Sequence, residues 1–174
     1  MSCRTDPAME VIATMIGAMA EVFRPDQQCL PRVGATTDIR FLAGDTAPIE
    51  AWDSHKSQGC DEPMVWVRIM RRYRSREFPT VTLKTSPCKA LRVVALEVGV
   101  AWCANVEEEP SWADLARQAE ESQDTTWRIE EALCMASALL AGDDAQRHVG
   151  TDIIAPWGPE GGVIAWTGVL YADF

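Results

Sequence analysis

Positive charge is scarce in this chain. Sixteen lysines and arginines face 26 aspartates and glutamates, a formal net charge of −10. Affinity for phosphate comes from Lys and Arg displacing counterions, so this balance argues against non-specific nucleic-acid binding. An acidic surface suits solubility, or a wall that DNA slides past without sticking. Histidine is scarce too: His55 and His148 are the only two, and neither has a partner at a catalytic or metal-ligating spacing. A Gly-Lys-Ser phosphate loop and a His-x-x-x-His zinc helix are both missing from the sequence. No apolar run approaches the ~20 residues of a membrane span, so no membrane partner is expected. The opening Met1-Ser2-Cys3-Arg4-Thr5-Asp6-Pro7 puts an acid and a proline ahead of any apolar periodicity. That is a poor secretory signal, and cytoplasmic synthesis is the expectation.

Cysteine is not scarce, but its spacing is uninformative. Cys3, Cys29, Cys60, Cys88, Cys103 and Cys134 include no Cys-x-x-Cys pair, which removes the usual zinc and thioredoxin-like patterns. Most are expected to be small buried apolar residues, and which of them pair, if any, stays open. No catalytic residue, metal site or cofactor is assigned. A His55–Cys60 nucleophile pair is the one enzymatic arrangement the residue types allow. Nothing nearby supplies an orienting group or an oxyanion hole.

At 174 residues and 47% hydrophobic, the chain can bury a core without disulfides or metal, and one domain over 1–174 is expected. Asp6-Pro7 opens a helix within 1–24, an N-cap acceptor followed by proline in the first turn. Met9, Ile12, Ile16, Met19 and Phe23 form its apolar stripe, and Arg24-Pro25 ends it. The 25–61 segment reads as loop-rich, with one strand over Asp38–Ala43. The 62–105 segment holds the central strands. Met64–Tyr73 alternates, with Val65, Val67, Ile69 and Tyr73 on one face. Thr80–Lys84 reads as a short strand, and Leu91–Cys103 is apolar on both faces, as a covered central strand should be.

Ser111 with Asp114 three residues on approximates a capping box for a long helix over 111–141. Its stripe is Leu115, Ala119, Ser122, Thr126, Ile129, Leu133, Ala136 and Leu140. The first half of that stripe is weak and polar, which implies only partial burial. Val149–Ala155 and Val163–Ala172, joined around Pro156–Gly162, form a C-terminal hairpin over 149–174. The predicted fold class is α+β: N-terminal helix, mainly antiparallel sheet, long second helix, final β-hairpin.

Two constellations stand out. Arg68, Arg71, Arg72, Arg74 and Arg76 place five of the sixteen positive charges in nine residues. On so acidic a chain they suit contact with a neighbouring subunit better than DNA, because the planar guanidinium favours protein interfaces. Among seven tryptophans, Trp127 on the polar side of the long helix and Trp157 beside a turn are further interface candidates. Glu97, inside the most apolar strand, calls for a structural partner, Arg68 or Arg92.

Cys60, Val65-Trp66-Val67-Arg68, Phe78-Pro79, Pro87-Cys88, Leu96-Glu97-Val98-Gly99-Val100, Cys103 and Gly158-Pro159-Glu160-Gly161-Gly162 form an ordered string. Their order and spacing resemble the head-to-tail connector and tail-terminator proteins of siphophages infecting actinobacteria. The likeness covers about Trp52 to Trp166, roughly two thirds of the chain. Relatives commonly carry cysteine just after the Trp-Asp step, where this chain has Ser54 and His55, and after the paired glycines, where it has Val163. No cysteine pairing is therefore carried over. The resemblance implies a tail-terminator-like fold and a structural virion protein of the neck. It implies a homo-oligomeric ring, a hexamer, that caps the tail-tube protein and docks to the head-completion (stopper) protein, with genomic DNA passing through the lumen without specific binding. Another neck ring is the alternative within that class, and a small Cys-dependent enzyme the alternative outside it.

Overall fold

A computed structural model of the chain describes residues 5–44, 49–56, 60–83, 87–105, 109–142 and 147–174. Its elements, in order, are α1 (Ala8–Phe23), β1 (Ile39–Leu42), α2 (Ile49–Lys56), β2 (Met64–Ser75), β3 (Leu91–Cys103), α3 (Trp112–Gly142), β4 (Val149–Thr151), β5 (Ala155–Glu160) and β6 (Val163–Asp173). The fold is α+β. The six strands form one sheet in the order β1-β2-β3-β6-β4, with β5 also on the outer edge of β6. Every pairing is antiparallel except β1 with β2.

The helix starts follow local chemistry. The Asp6 carboxylate accepts the Ala8 N–H at 3.1 Å, and its carbonyl accepts the Met9 N–H at 3.0 Å, which satisfies donors the first turn leaves open. Arg24, just before Pro25, is extended and ends α1. At α3, Ser111 Oγ accepts the Asp114 N–H at 3.1 Å and donates to that residue's carboxylate. The buried stripe of α1 is broader than expected: Val11, Met15 and Val22 join Ile12, Met19 and Phe23, while Met9 is exposed and Ile16 half-buried. α1 packs against both α3 and the sheet, so two adjacent faces of the helix are covered.

α1 and α3 cover one face of the sheet. On that helix face lie Val65 and Val67 of β2, Val94 to Trp102 at every second position of β3, and Leu170 and Ala172 of β6, all in one core with Ile129, Leu133 and Ala136 of α3. Gly168 lets α3 approach: a Cβ there would sit 3.0 Å from Ile129 Cγ2 and Leu133 Cδ1. β3 is buried on both faces from Val93 to Trp102, as its unbroken apolar pattern requires. The opposite, outer face is closed by smaller pieces. Trp52 of α2 packs with Met64, Trp66, Ala101, Val163 and Ala165 at one end. A disulfide from Cys60 to Cys103 ties the chain ahead of β2 to the end of β3 there.

Four expectations are corrected. α2 lies in a segment read as loop. Thr80–Leu83 form no strand; this stretch hooks back through Thr82 N–H to the Arg74 carbonyl at 2.9 Å, and Lys84 lies outside the described residues. Val149–Ala155 is not one strand. β4 ends at Thr151 and β5 starts at Ala155, so the turn narrows to Gly161-Gly162, both at positive φ. Finally, a bulge between Ile69 and Arg71 inserts Met70 and reverses the face of everything after it. Tyr73 therefore falls on the same face as Trp66 and Arg68.

Candidate assembly surfaces

The arginine run does not form one surface. Arg68 lies directly opposite Glu97 and is buried with it. Its Nε donates to Glu97 Oε1 at 2.6 Å and one terminal nitrogen to Oε2 at 2.7 Å, while the other donates to the Gly44 carbonyl at 3.0 Å. The Trp66 indole N–H adds a 3.3 Å bond to the same carboxylate. Glu97 thus has the structural partner its strand demanded, and that partner is Arg68 rather than Arg92. At 4% exposure, Arg68 is no contact residue, because its fork is consumed inside the fold.

Beyond the bulge the arginines alternate. Arg71 shares the outer face with Tyr73, its guanidinium 5.0 Å from that ring. Next to them the Tyr171 hydroxyl donates to Asp152 at 3.0 Å. Burial, then Asp152, pushes the Tyr171 hydroxyl upward, and burial does the same to Tyr73. The Asp152 carboxyl is held below its ordinary value by the Ile153 N–H first and the Tyr171 hydroxyl second. Arg72 and Arg74 turn toward the helix face. Arg72 pairs with Asp6 and lies 4.8 Å from the Phe174 ring, on which Arg92 also rests at 5.0 Å. Arg74 donates to the Ala90 carbonyl at 3.1 Å, and Arg76 is exposed. Among the described residues, Arg71, Arg74 and Arg76 make no ion pair with an Asp or Glu carboxylate, and Arg92 donates to the main-chain oxygen of Phe174, the last residue, at 3.1 Å.

Toward the opposite end of the strands lies the first half of α3. Its first buried residue is Thr125, so Trp112–Asp124, roughly 20 Å at the ordinary helical rise, overhangs the buried part of the helix. Trp112 is 87% exposed, Trp127 54% and Leu115 40%. At about 100° per residue these three and Ala119 fall within about 120° of one another. The strip runs from the edge of the core face, where Leu115 lies on the helical line of buried Leu133, round to Trp127 on the side away from Ala136. A groove of about 520 Å³ beside it is lined by Arg32, Ala119, Glu120, Gln123, Asp124 and Trp127.

The overhang is anchored from below by Arg128, a buried arginine that sequence reading passed over. Its terminal nitrogens donate to the carbonyls of Val22 at 3.0 Å and Cys29 at 2.9 Å, and Nε to Asp124 at 2.9 Å. It thereby closes the open carbonyl end of α1. Helical spacing could have flagged it, since Arg128 lies three residues after Thr125 and four before Ala132, both buried.

Trp127 is exposed, as its polar-side position implied. Trp157 is half-buried against the Trp52 cluster and offers less surface. Trp112 was missed; its place at the start of a polar half-stripe was the available signal. The cysteines depart from expectation, because Cys29, Cys88 and Cys134 are exposed free thiols. Cys60 is bonded to Cys103, and buried His55 has Nε2 2.8 Å from the Glu62 carbonyl, so no thiol of Cys60 stands beside an imidazole in this state.

No known family model matches the chain, and no curated protein matches it significantly.

Proposed function

We propose that this chain is a structural virion protein of a siphophage neck, the tail terminator, whose copies form a ring that caps the tail tube and docks to the head. The ordered string that resembles such proteins supports this reading: in the fold it lies on β2, β3, the connection between them and the β5–β6 turn, with Cys60 and Cys103 joined at one end. One observation carries most of the weight. A helix half with two tryptophans in water, on the outside of a fold whose own core is complete, is a surface that another protein covers. The acidic balance suits a lumen that lets DNA pass; a lumen wall of mainly Lys and Arg would count against it.

Native mass measurement of the purified chain, alone and with tail tubes, tests the proposal. Ring-sized species that bind tube ends are expected. A single-chain mass at every concentration, unchanged by tail tubes, overturns it. Binding to the portal-side adaptor in place of the tube would move the chain to the stopper layer.

A further inference from the structure

The two surfaces described above lie at opposite ends of the strand direction. β2 ends and β3 begins at the arginine end, while α3 follows the far end of β3 and runs back over the sheet, with Ile129 against Gly168, the partner of Val98. Neither surface can therefore reach the other within one chain. Their chemistry is complementary. The overhang presents Trp112 and Leu115 among the carboxylates Asp114, Glu120 and Glu121, with Arg117 as its one cation. The turn ahead of β2 and the β5–β6 turn add Asp61, Glu62 and Glu160 at that end, all exposed. Within the overhang charge is balanced in pairs, Arg32 with Glu120 at 2.6 Å and Arg117 with Glu121 at 2.9 Å and with Asp114, so of these carboxylates the ones without an ion pair among the described residues are Asp61, Glu62 and Glu160. At the opposite end, among the described residues, Arg74 holds the Ala90 carbonyl, while Arg92 holds the Phe174 ring and the main-chain oxygen of that last residue. The Arg76 side chain is bound to nothing among the described residues.

We propose that a second copy of this chain occupies each surface: the α3 overhang of one protomer docks on the arginine end of the next, around Arg74, Arg76 and Arg92. Guanidinium groups then lie over exposed indoles and beside carboxylates, the contact that arginine makes best. Pairing a surface with its own copy would set arginine against arginine, or carboxylate against carboxylate, which is repulsive. The contact is therefore head-to-tail, each copy both giving and receiving, and such a contact closes into a ring or runs on as a filament. This inference deepens the neck reading by naming the ring's contact, but it does not depend on the tail tube.

Two variants test it. Trp112→Ala with Leu115→Ser removes the overhang's apolar strip and leaves the arginines. Arg74→Glu with Arg76→Glu reverses the receiving end and leaves the overhang. Thermal melting checks that each folds; if the double arginine variant does not, Arg76→Glu alone replaces it. Each variant alone is expected at single-chain mass, where the native chain is multimeric. An equal mixture is expected to give a two-chain species and nothing larger, because only one good contact remains. Variants that assemble like the native chain, a mixture that stays single-chain, or a native chain that never associates would each overturn the proposal. A native chain that binds tail tubes while both variants assemble normally would remove this contact and leave the neck reading standing.

Discussion

The two faces of the sheet are closed by different means. On the helix face, α1 and α3 lay continuous apolar stripes over Val65, Val67, Leu96, Val98 and Leu170, and charge enters only toward the helix ends, where Arg128 closes α1 and Arg72 holds Asp6. On the outer face the cover comes in pieces: α2 at one end, the hooked-back stretch after β2 at the other, and Gly44 between them over Arg68. Short pieces cannot bury a continuous apolar surface, so the middle of this face is polar and its groups are satisfied in pairs, Arg68 with Glu97 and Tyr171 with Asp152. Where long helices cover a sheet, apolar burial carries the middle of the seam and charge only its ends. Where fragments cover it, specific pairing carries the load.

The largest expected effect breaks that pairing. Arg68→Ala leaves Glu97 buried without a counter-ion and is expected to cost about 3–5 kcal/mol. Replacing both, Arg68→Met with Glu97→Leu, removes the charges together and should recover most of the loss, because apolar isosteres of a buried pair are often neutral or better. Chemical denaturation of the three variants checks this. A double variant as unstable as Arg68→Ala would mean the pair does more than neutralise itself. Next comes the covalent clamp on the same face. Cys60→Ala with Cys103→Ala opens a closure across 43 residues and is expected to cost about 2–4 kcal/mol. Helix-face substitutions such as Ile16→Val should be insensitive to reductant, while the outer-face end loosens with it, as hydrogen exchange at Trp52 and Met64 would show.

How much of this was readable beforehand follows the same division. The helix face was legible, because periodicity and capping residues are local signals: the bounds of β3 came out as read, and α1 and α3 nearly so. The outer face was less so. The bulge at Met70 carries no proline or glycine to announce it, yet it alone decides which arginines face which side. Arg68 looked like its neighbours until the register placed Glu97 opposite. The joining of Cys60 to Cys103 is a long-range fact that spacing does not encode. For the assembly surfaces, the weak polar half-stripe of α3 foretold incomplete burial. That Trp112 stands on it in water depends on where the core stops, which no local pattern records.

Two glycines sharpen the comparison at smaller scale. On the outer face, a Cβ at Gly99 would fall inside the Trp66 indole, itself pinned by Glu97. On the helix face, a Cβ at Gly168 meets aliphatic side-chain carbons, those of Ile129 and Leu133 at 3.0 Å and of Ile154 at 3.4 Å. Gly99→Ala is expected to cost about 2–3 kcal/mol and Gly168→Ala about 1 kcal/mol, since aliphatic side chains yield where a fixed indole does not. Thermal midpoints of the two variants rank the faces by rigidity, and a larger loss at Gly168 would reverse the ranking.

The smallest effect concerns pH. At the start of α1, hydrogen bonds from Arg72 hold the Asp6 carboxyl below its ordinary 3.8, and hydrogen bonds from Arg147 hold Glu10 below 4.5. On the outer face Asp152 is also lowered, but chiefly by the uncharged Ile153 N–H and Tyr171 hydroxyl. All three carboxyls have depressed folded values. Their contribution is fully present above the unfolded values and is lost as pH falls through the folded ones, so stability should decline on acidification below about pH 4.5. The faces differ in their response to salt. Arginine-held carboxylates at the surface are screened by added salt, whereas short hydrogen bonds from neutral donors are not. In thermal midpoints followed from neutral pH down to about pH 3, Asp6→Asn should flatten the acid limb at low salt and change little at high salt. Asp152→Asn should flatten it equally at both. Equal salt sensitivity in the two variants would show that Arg71, and not the neutral donors, holds Asp152, extending the charged pairing of the outer face as far as β4.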